Sequence, residues 1–547
     1  MPAKLRGADV LARTLDAAGL RTVFTLSGNH VMPVFDAALG TDLGLIHVRH
    51  EAAAVHMADA FARLTGQCGI ALVTGGPGHA NAVGALVTAQ AAESPLVLLS
   101  GHAGLGELGR GAFQELRQAE MAAPACKASW TARAAATLGQ ELAEAVCIAV
   151  SGRPGPVHLS LPFDLLEQKI DDVPDLWPAA SVLAPIPQAL AAADAAAVLE
   201  TIAAAQRPLV LGGPLLCRGM GRELLGRLAS ALGVPAVGME SPRGLNDPSL
   251  GAFAEVLRRA DLIVLIGKPH DFTLRFADPP FVDAACRFAV IDPDAGLIER
   301  TVREKGARVV VRAAADPLVA VEALIARAPF PAPQSSAWQQ EVAEAISFRP
   351  AVWATQRAAG AGKVHPVELC RAVAAAIDGS PDAILVCDGG EIGQWPQSLV
   401  KARRRVINGV SGSIGSALPF AIAARMAEPT APVIAVLGDG TFGFHMAEFD
   451  TAVRYRLPFV AVVGNDATWN AEHQIQLRDY GPERAHGCEL LPTRYDRVVE
   501  ALGGHGELVT AAADLGPAIA RAIASGKPAC VNVMIERTPA PVIRRQA

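Results

Sequence analysis

The sequence predicts an α/β protein that is built from three doubly wound parallel-sheet domains. The chain has 547 residues, which is too long for a single hydrophobic core and corresponds to about three domains of ordinary size. Short apolar segments with the character of buried strands alternate with Ala-rich helical segments along the chain. Uniformly apolar strands in such a βαβα alternation favour parallel sheets that are covered by helices on both faces.

The first predicted domain spans residues 1–168, and a Pro-rich connection at 171–188 follows it. Its Ala-rich segments 51–66 and 79–93 have the length and composition of helices. Its predicted strands are 22–26, 44–48, 69–74 and 95–101.

A central domain at 190–328 and a last domain at 355–547 are predicted next, with a second Pro-rich linker at 328–340 between them. Because the last domain shows the same alternation as the first, we expect the two outer domains to share one architecture. The predicted strands of the central domain are 207–213, 260–267 and 286–294, and those of the last domain are 383–390, 432–440, 458–466 and 528–536.

Composition excludes several classes of protein. Hydrophobic residues make up 51% of the chain and charged residues 19%, which supplies large cores and excludes general disorder. The net charge of -6 and a pI near 6.1 argue against nucleic acid as a partner. The one compact basic run, at 401–405, is interpreted as a solvated connection, with contact to an anionic ligand as the alternative.

Cysteine usage and the first residues indicate a cytoplasmic protein with no membrane partner. The 9 cysteines form no C-x-x-C pair, so neither a zinc site nor a disulfide framework is predicted. Residues 1–19 show a helical pattern with a polar face rather than a signal peptide, and no apolar run reaches membrane-spanning length.

Polar, Gly-rich segments follow several predicted strands. In open α/β sheets, ligands bind beyond the carboxyl ends of the strands, and helix N-termini that follow glycines offer free N–H groups to an anion. One such turn alone is ordinary α/β structure. The segments are 27–30, 74–79, 388–390 and 408–415.

Two aspartates predict a cation site more specifically. Asp439 and Asp466 each follow an apolar run and lie one β–α–β unit apart, which puts both at the carboxyl edge of neighbouring parallel strands. With Gly440 and Thr441 beside the first, two carboxylates suit a divalent cation that also binds phosphate oxygens. Two independent turn-forming aspartates are the alternative.

The segment 438–466 resembles the thiamine-diphosphate motif, which begins Gly-Asp-Gly and ends in a pair of asparagines. The resemblance implies that Asp439, Asp466 and the backbone carbonyl of Thr468 bind Mg²⁺, which in turn binds the diphosphate of the cofactor beside Gly440 and Thr441. This sequence has Asp466 where the family has Asn, so the site is more negative.

The resemblance extends over essentially the whole chain, to the three-domain acetolactate-synthase-like branch of this family. Segment 49–63 is similar to the family's pyrimidine-binding signature, which makes Glu51 the counterpart of its catalytic glutamate. That carboxyl group bonds the aminopyrimidine ring and promotes the tautomer that deprotonates the thiazolium. As a residue taken alone, a Glu that opens a helix is a capping residue.

Further cofactor contacts follow from the same likeness. Segment 74–81 resembles the Pro-Gly loop beside the pyrimidine, and 412–415 the opposite wall, with the Gly412 carbonyl accepting from the 4′-amino group and Ile414 bending the cofactor. The residues so assigned to cofactor binding are Pro77, Gly78, Asn81, Asp388, Gly389, Gly412, Ser413 and Ile414.

Substrate-side residues are assigned by resemblance to acetolactate synthases, 2-hydroxyacyl-CoA lyases and benzaldehyde lyases. In segment 111–120, Gln114 would face the intermediate, and His30 would carry a proton to or from the substrate. The sequence departs from benzaldehyde lyases at Asn408, where those enzymes have a second histidine, and at Gly393, where they have an aromatic residue. Asn29, Asn408, Trp469 and Glu472 are the candidate pocket residues.

The resemblance implies a lyase or carboligase that depends on thiamine diphosphate and Mg²⁺ and acts on a small 2-hydroxy ketone or 2-hydroxyacyl-CoA. An acetolactate synthase or a 2-oxo acid decarboxylase is the alternative, and a non-catalytic cofactor-binding protein or an ordinary nucleotide-binding protein would be a different class. FAD or ADP in the central domain stays open, with Lys268 and Arg275 as phosphate contacts or surface charges. The family implies at least a homodimer, with a homotetramer expected and Glu51 facing the partner's diphosphate site.

Overall fold

The computed structural model describes residues 4–328 and 336–545. Its strands form three separate parallel sheets, each with helices on both faces, as the sequence predicts. A small antiparallel pair, β1 (Lys4–Arg6) with β8 (Lys169–Asp171), joins the two ends of the first domain.

The first sheet has the strand order β3-β2-β4-β5-β7-β6. The strands are β2 (Thr22–Leu26), β3 (Gly44–His47), β4 (Gly69–Val73), β5 (Leu96–His102), β6 (Ala128–Thr131) and β7 (Pro156–Pro162). The helices are α1 (Gly7–Ala17), α2 (Met32–Ala38), α3 (Glu51–Thr65), α4 (Pro77–Ala91), α5 (Gln118–Ala122), α6 (Leu138–Val150) and α7 (Phe163–Glu167).

The central sheet has five strands in the order β10-β9-β11-β12-β13. The strands are β9 (Pro208–Gly212), β10 (Ala236–Gly238), β11 (Leu262–Ile266), β12 (Arg287–Ile291) and β13 (Val309–Ala313). The helices are α8 (Ala192–Ala203), α9 (Gly219–Leu232), α10 (Phe253–Leu257), α11 (Ala295–Lys305), α12 (Pro317–Ala326) and α13 (Ala337–Ser347).

The third sheet has the order β15-β14-β16-β17-β19-β18, which repeats the connectivity of the first. The strands are β14 (Ile384–Cys387), β15 (Arg404–Ile407), β16 (Val433–Gly438), β17 (Val460–Asn465), β18 (His505–Val509) and β19 (Ala529–Met534). The helices are α14 (Pro366–Ile377), α15 (Gln394–Leu399), α16 (Ala417–Ala427), α17 (Asp439–His445), α18 (Glu448–Arg454), α19 (Asn470–Asp479), α20 (Tyr495–Ala501) and α21 (Ala512–Ala524).

The strands that the sequence analysis did not identify are mainly sheet edges. Edge strands β6, β10, β13, β15 and β18 are short or carry polar residues, because one side of an edge strand faces solvent or a loop. The interior strands β4 and β14 are buried along their whole length and were predicted from their apolar runs.

The predicted linker at 328–340 is wrong in its second half. Residues 329–335 lie outside the described residues, but α13 begins at Ala337. Trp338 is 7% exposed, packs in the core of the central domain, and donates from Nε1 to the carbonyl oxygen of Pro208 at 2.8 Å. The Pro-rich composition ends before this helix, whose apolar residues pack on the central sheet.

The two outer domains share one hydrophobic core. Helix α3 packs along α16, and residues such as Ala58 and Phe420 belong to the same buried cluster. Arg63 extends this contact by donating to the carbonyl oxygen of Ile407 at 2.7 Å. In the part of the chain that the structure describes, no helix is long and apolar enough to cross a membrane, and the cysteines are all unpaired.

Candidate active site

The carboxyl edge of the third sheet brings the two predicted aspartates together. Strands β16 and β17 pair in parallel with Gly438 opposite Gly464, so Asp439 and Asp466 follow neighbouring strand ends. A cavity of about 320 Å³ lies at this edge. The lining includes the predicted residues Gly389, Asn408, Gly412, Ile414, Asp439, Gly440, Thr441, Asp466, Thr468, Trp469 and Glu472.

Asp439 and Asp466 form a buried pair of like charges. Asp439 is 2% exposed, its Oδ2 has no hydrogen-bond partner among the described residues, and burial raises the pKa of this carboxyl to about 6. Burial and then the charge of Asp439 raise the pKa of Asp466 to about 7. A divalent cation between them would offset both effects, because it supplies the missing positive charge and a partner for Oδ2.

The described residues contain no group of three or more His, Cys, Asp or Glu side chains arranged to bind a metal. A cation here would therefore need backbone or ligand oxygens in addition to the two carboxylates. Oxygen-only coordination of this kind is typical of Mg²⁺, which keeps several waters or phosphate oxygens and uses only one or two carboxylates.

Asp388 lies behind the cavity rather than in its wall. It is fully buried and accepts hydrogen bonds from the N–H groups of Gly389 at 2.7 Å, Gly415 at 2.9 Å and Ala417 at 3.1 Å. The carboxylate therefore fixes the loop 412–415 at the start of α16. Its geometry indicates that it orders the cavity wall and does not contact a ligand directly.

The opposite wall depends on close packing around a glycine. A Cβ at Gly389 would lie 2.6 Å from Cγ2 of Ile414 and 2.9 Å from Nδ2 of Asn408. Asn408 donates to the carbonyl oxygen of Ser413 at 2.7 Å, while its buried Oδ1 has no partner among the described residues. Ser413 thus contributes its carbonyl to the loop and is not a cavity-lining residue.

Trp469 covers the start of α17. A Cβ at Gly440 would lie 2.6 Å from Cζ3 of the Trp469 ring, so the backbone beside Asp439 approaches the indole as closely as glycine allows. Glu472 follows on α19 and is exposed at the cavity.

A second set of predicted residues lies at the carboxyl edge of the first sheet. Glu51 is the first residue of α3, is 8% exposed, and accepts a hydrogen bond from Nδ2 of Asn81 at 3.0 Å. Pro77 and Gly78 open α4 directly beside it, and a Cβ at Gly78 would lie 3.2 Å from Oε1 of Glu51.

His30 and Gln114 flank the same loop. His30 is 4% exposed, with Nδ1 at 3.3 Å from Oγ1 of Thr74, and burial, followed by the neighbouring His102, lowers its pKa. Gln114 has a φ of +57° and packs against Gly76, where a Cβ would lie 2.6 Å from the Gln114 carbonyl oxygen. Asn29, next to His30, is exposed.

Three residues near these sites were not predicted. Gln118 is 1% exposed, accepts from the N–H of Gly76 at 2.8 Å and donates to the carbonyl oxygen of Gly101 at 3.1 Å, which fixes the loop before α4. Arg243 and Glu391 line the Asp439 cavity and lie 3.5 Å apart. No sequence motif contains these residues, and their partners are distant in the sequence, so the sequence analysis could not identify them.

The two sets do not share a cavity within one chain. Apart from Pro242 and Arg243 of the central domain, the described residues that line the Asp439 cavity all follow residue 388. Glu51, His30, Gln114, Pro77, Gly78 and Asn81 are therefore not in its wall.

Helix α18 nevertheless contacts the turn that carries Glu51. Buried Glu448 accepts from the N–H of Arg49 at 3.0 Å. Tyr455, directly after α18, accepts at its hydroxyl from the N–H of His47 at 2.8 Å and donates to the carbonyl oxygen of Leu45 at 3.0 Å. The third domain thus fixes the β3–α3 connection of its own chain.

The central sheet has a cavity of about 520 Å³ at its carboxyl edge, beyond β9, β11 and β12. Lys268 lines it, but its side chain is 2% exposed, its ammonium group donates to Oδ1 of Asp271 at 3.1 Å, and burial lowers its pKa. Arg275 does not line this cavity; its guanidinium lies 5.6 Å from the ring centroid of Phe281.

Comparison with known proteins shows which family and which relatives this chain is similar to. Residues 5–121 match the family model described as "Thiamine pyrophosphate enzyme, N-terminal TPP binding domain", and residues 388–533 match its C-terminal TPP binding domain. The acetolactate synthase large subunit of Mycobacterium tuberculosis is 32% identical over 96% of this chain and 95% of its own length. The 2-hydroxyacyl-CoA lyase 2 of Mus musculus is 31% identical over 97% of this chain and 90% of its own length. The 2-hydroxyacyl-CoA lyase of Arabidopsis thaliana is 28% identical over 98% of this chain and 96% of its own length.

Proposed function

Because this chain belongs to the thiamine pyrophosphate enzyme family, we propose that it is a Mg²⁺-dependent C–C bond lyase or carboligase for 2-hydroxy ketones or 2-hydroxyacyl-CoA compounds. The observation that carries the proposal is the buried carboxylate pair, Asp439 with Asp466, in the cavity at the edge of the third sheet. A polar set that includes His30 and Gln114 at the edge of the first sheet supports it. Several relatives are named 2-hydroxyacyl-CoA lyases, which supports this substrate class.

The residues at the third sheet edge fit the cofactor's diphosphate and its cation. Asp439, Asp466 and the backbone carbonyl of Thr468 would bind Mg²⁺, since Oδ2 of Asp439 is buried without a partner and both carboxyl pKa values are raised. The N–H groups at the start of α17, beside Gly440 and Thr441, would bind phosphate oxygens.

Bound thiamine diphosphate would supply a nucleophilic carbon that cleaves or forms the bond next to a carbonyl group. Glu51, kept in place by Asn81, would exchange a proton with the aminopyrimidine at a carboxyl oxygen. His30 has its pKa lowered and is therefore neutral at pH 7, so a ring nitrogen can accept a proton from a substrate hydroxyl group. Gln114 would orient that substrate, and the buried surroundings would exclude water.

The assembly that we propose is at least a homodimer, with a homotetramer expected. The support is that Glu51 and the Asp439 cavity lie on different domains of one chain without sharing a wall. A second copy can bring Glu51 to the cavity of its partner, which is how an isologous dimer completes two equivalent sites. Unpaired cysteines agree with a cytoplasmic location, which stays an expectation.

An acetolactate synthase or a 2-oxo acid decarboxylase is the second candidate, which the 32% identical acetolactate synthase relative favours. Binding of FAD or ADP in the central domain is a separate part of the proposal and does not depend on which reaction is catalysed. The cavity beyond β9, β11 and β12 is the position where doubly wound sheets bind nucleotides, although Lys268 there already bonds Asp271.

A substrate screen tests the reaction. Protein loaded with thiamine diphosphate and Mg²⁺ is offered pyruvate, benzoin and 2-hydroxyacyl-CoA compounds, and aldehydes, ketols and carbon dioxide are detected by mass spectrometry. Cleavage of a 2-hydroxy ketone or a 2-hydroxyacyl-CoA is expected. Consumption of pyruvate alone would refute the lyase assignment in favour of the second candidate.

Glu51→Gln separates catalysis from binding. We expect a loss of activity of at least about 100-fold with cofactor binding retained, since the amide cannot exchange the proton. The exposed Glu483→Gln is the matched control and should be fully active. Unchanged activity in Glu51→Gln would instead favour a protein whose thiamine diphosphate is not used in catalysis.

A further inference from the structure

A separate cavity of about 490 Å³ lies where all three domains meet. Its walls come from the last turn of α3 at Arg63, the start of α9 at Arg218 and Arg222, and the edge strand β15 at Arg404 and Arg405. An adjoining cavity of about 630 Å³ also includes Arg222 and Arg405 in its lining. Among the lining residues described, none is shared with the Asp439 cavity.

The lining of these two cavities, which we call the junction cleft, is strongly basic. It contains seven arginines and one lysine against three acidic residues, a formal excess of five positive charges, in a chain whose net charge is -6. The acidic residues, Glu223, Glu240 and Asp382, all belong to the smaller cavity, and the larger one is lined by no Asp or Glu among the described residues.

Three of the arginines have no carboxylate partner within the described structure. Arg218 donates to the backbone carbonyl oxygens of Ala92 and Glu93 at 3.0 and 2.6 Å, and Arg222 and Arg349 also donate only to backbone carbonyls. A carbonyl oxygen satisfies an N–H group but leaves the positive charge unneutralised. Burial accordingly lowers the pKa of Arg218 and of Arg349.

Arg405 provides the contrast within the same cleft. Its guanidinium bonds Glu240 at 2.9 and 2.8 Å, and Glu240 with Asp247 raises its pKa. Arg63, Arg403 and Arg404 also bond carboxylates, those of Asp59, Glu223 and Glu428. The protein therefore neutralises four of the seven guanidinium groups and leaves Arg218, Arg222 and Arg349 without a carboxylate among the described residues. The basic run 401–405 is thus partly an edge strand at this cleft, which corrects its interpretation as a solvated connection.

Free donors also face an open space at the start of α9. This 14-residue helix has no side-chain cap at its N-terminus, so its first N–H groups and the positive end of its dipole are available. A Cβ at Gly219 would meet nothing within 4 Å. Nη2 of Arg222, one turn further, has no acceptor among the described residues.

We propose that the junction cleft is a binding site for a phosphate group, either free phosphate or the phosphate of a small metabolite. Guanidinium groups and an uncapped helix N-terminus are the donors that proteins use for phosphate. Because the walls of the cleft come from different domains, a phosphate bound to the unpaired arginines would neutralise them and stabilise the domain arrangement. The site is separate from the proposed active site and does not depend on the reaction assigned to it.

Thermal unfolding with phosphate as the probe tests the proposal. The protein is first saturated with thiamine diphosphate and Mg²⁺, so that the proposed diphosphate site is filled, and ionic strength is kept constant with chloride. Inorganic phosphate or AMP should raise the unfolding temperature in a saturable manner. Saturation by inorganic phosphate identifies the free ion as sufficient, and a response to AMP alone identifies an organic phosphate.

Arg222→Gln should weaken this binding at least tenfold. The matched control is Arg227→Gln on the exposed face of the same helix, which should bind like the unchanged protein. If Arg222→Gln does not fold, the exposed Lys401→Gln in the larger cavity should weaken binding by a smaller factor. No saturable shift at constant ionic strength, or an equal loss in Arg222→Gln and Arg227→Gln, would overturn the proposal.

Discussion

At the residue scale, the most informative side chains are Asp439 and Asp466. Their spacing predicts that they meet, but only the structure shows that one carboxylate oxygen is buried without a partner. Their pKa values of about 6 and about 7 mean that the folded protein binds protons there more tightly than the unfolded chain does. Without a cation, this contribution to folding stability is therefore complete at acid pH and is lost as the pH rises through about 7.

Cation binding should show the opposite dependence on pH. The affinity for Mg²⁺ should fall as the pH is lowered through about 7 and about 6, because protons compete for Asp466 and Asp439. Asp466→Asn removes one competing proton, so its binding should depend less steeply on pH. Mg²⁺-dependent cofactor binding, measured by protein fluorescence from about pH 5 to about pH 8, checks this. Parallel curves for the two proteins would show that Asp466 is not a ligand.

Cofactor binding should depend on Gly389 as strongly as on the proposed cation ligands. In Gly389→Ala the new methyl group would lie 2.6 Å from Ile414 and 2.9 Å from Asn408, so the cavity wall must shift. We expect cofactor affinity to fall about tenfold or more, since overpacking costs ~1–3 kcal/mol. Equilibrium dialysis measures it. Gly443→Ala on α17, where a Cβ meets nothing within 4 Å, is the control and should bind normally.

At the scale of elements, the connection between β3 and α3 determines where Glu51 lies. Its backbone bonds to Glu448 and Tyr455, which belong to or directly follow α18, the helix after the α17 that begins with Asp439. The position of the proposed catalytic glutamate is therefore linked to the segment that follows the proposed cation site of the same chain. Helix patterns alone could not predict this link, because it pairs residues about 400 positions apart.

Tyr455→Phe should loosen this connection. The change removes the hydroxyl group that pairs the N–H of His47 and the carbonyl of Leu45, which should cost about 1 kcal/mol. Hydrogen exchange at residues 45–51 should accelerate, and kcat should fall more than KM changes. Tyr480→Phe, at an exposed tyrosine, should change neither. Unaltered hydrogen exchange in Tyr455→Phe would mean that the other contacts of α18 are enough to hold the β3–α3 connection in place.

At the scale of the whole molecule, the two outer domains have one strand order and carry the two sets of residues that make up the proposed active site. The first has Glu51, His30 and Gln114, and the third has the cavity with Asp439 and Asp466. Their shared core fixes them to each other through α3 and α16. The halves of one chain are therefore held apart by the same packing that stabilises the chain.

Mixing two inactive variants tests whether the halves combine between chains. Glu51→Gln and Asp439→Ala should each be inactive, but their mixed dimers contain one site with both groups intact. Refolding an equal mixture should restore about one quarter of the normal activity, because half of the dimers are mixed and each has one complete site. Each variant refolded alone is the control. No recovery despite confirmed mixed dimers would place the complete site within a single chain.

Local patterns in the sequence predicted the fold class, most of the interior strands and the meeting of Asp439 with Asp466. These follow from local patterns: uniformly apolar runs give buried parallel strands, and a β–α–β unit brings successive strand ends to one edge. The sequence analysis missed the edge strands β6, β10, β13, β15 and β18, the interior strand β7 and helix α13. These segments are short, carry polar residues or follow a Pro-rich segment.

The tertiary structure was needed to show which polar groups lack partners and which residues line the same cavity. Asp388 orders a loop instead of lining the cavity, and Gln118 fixes the loop before α4. Three arginines of the junction cleft, Arg218, Arg222 and Arg349, have no carboxylate partner among the described residues. Each of these results depends on contacts between segments far apart in the chain. Burial and charge pairing are set by packing between domains, and no local pattern of residues encodes them.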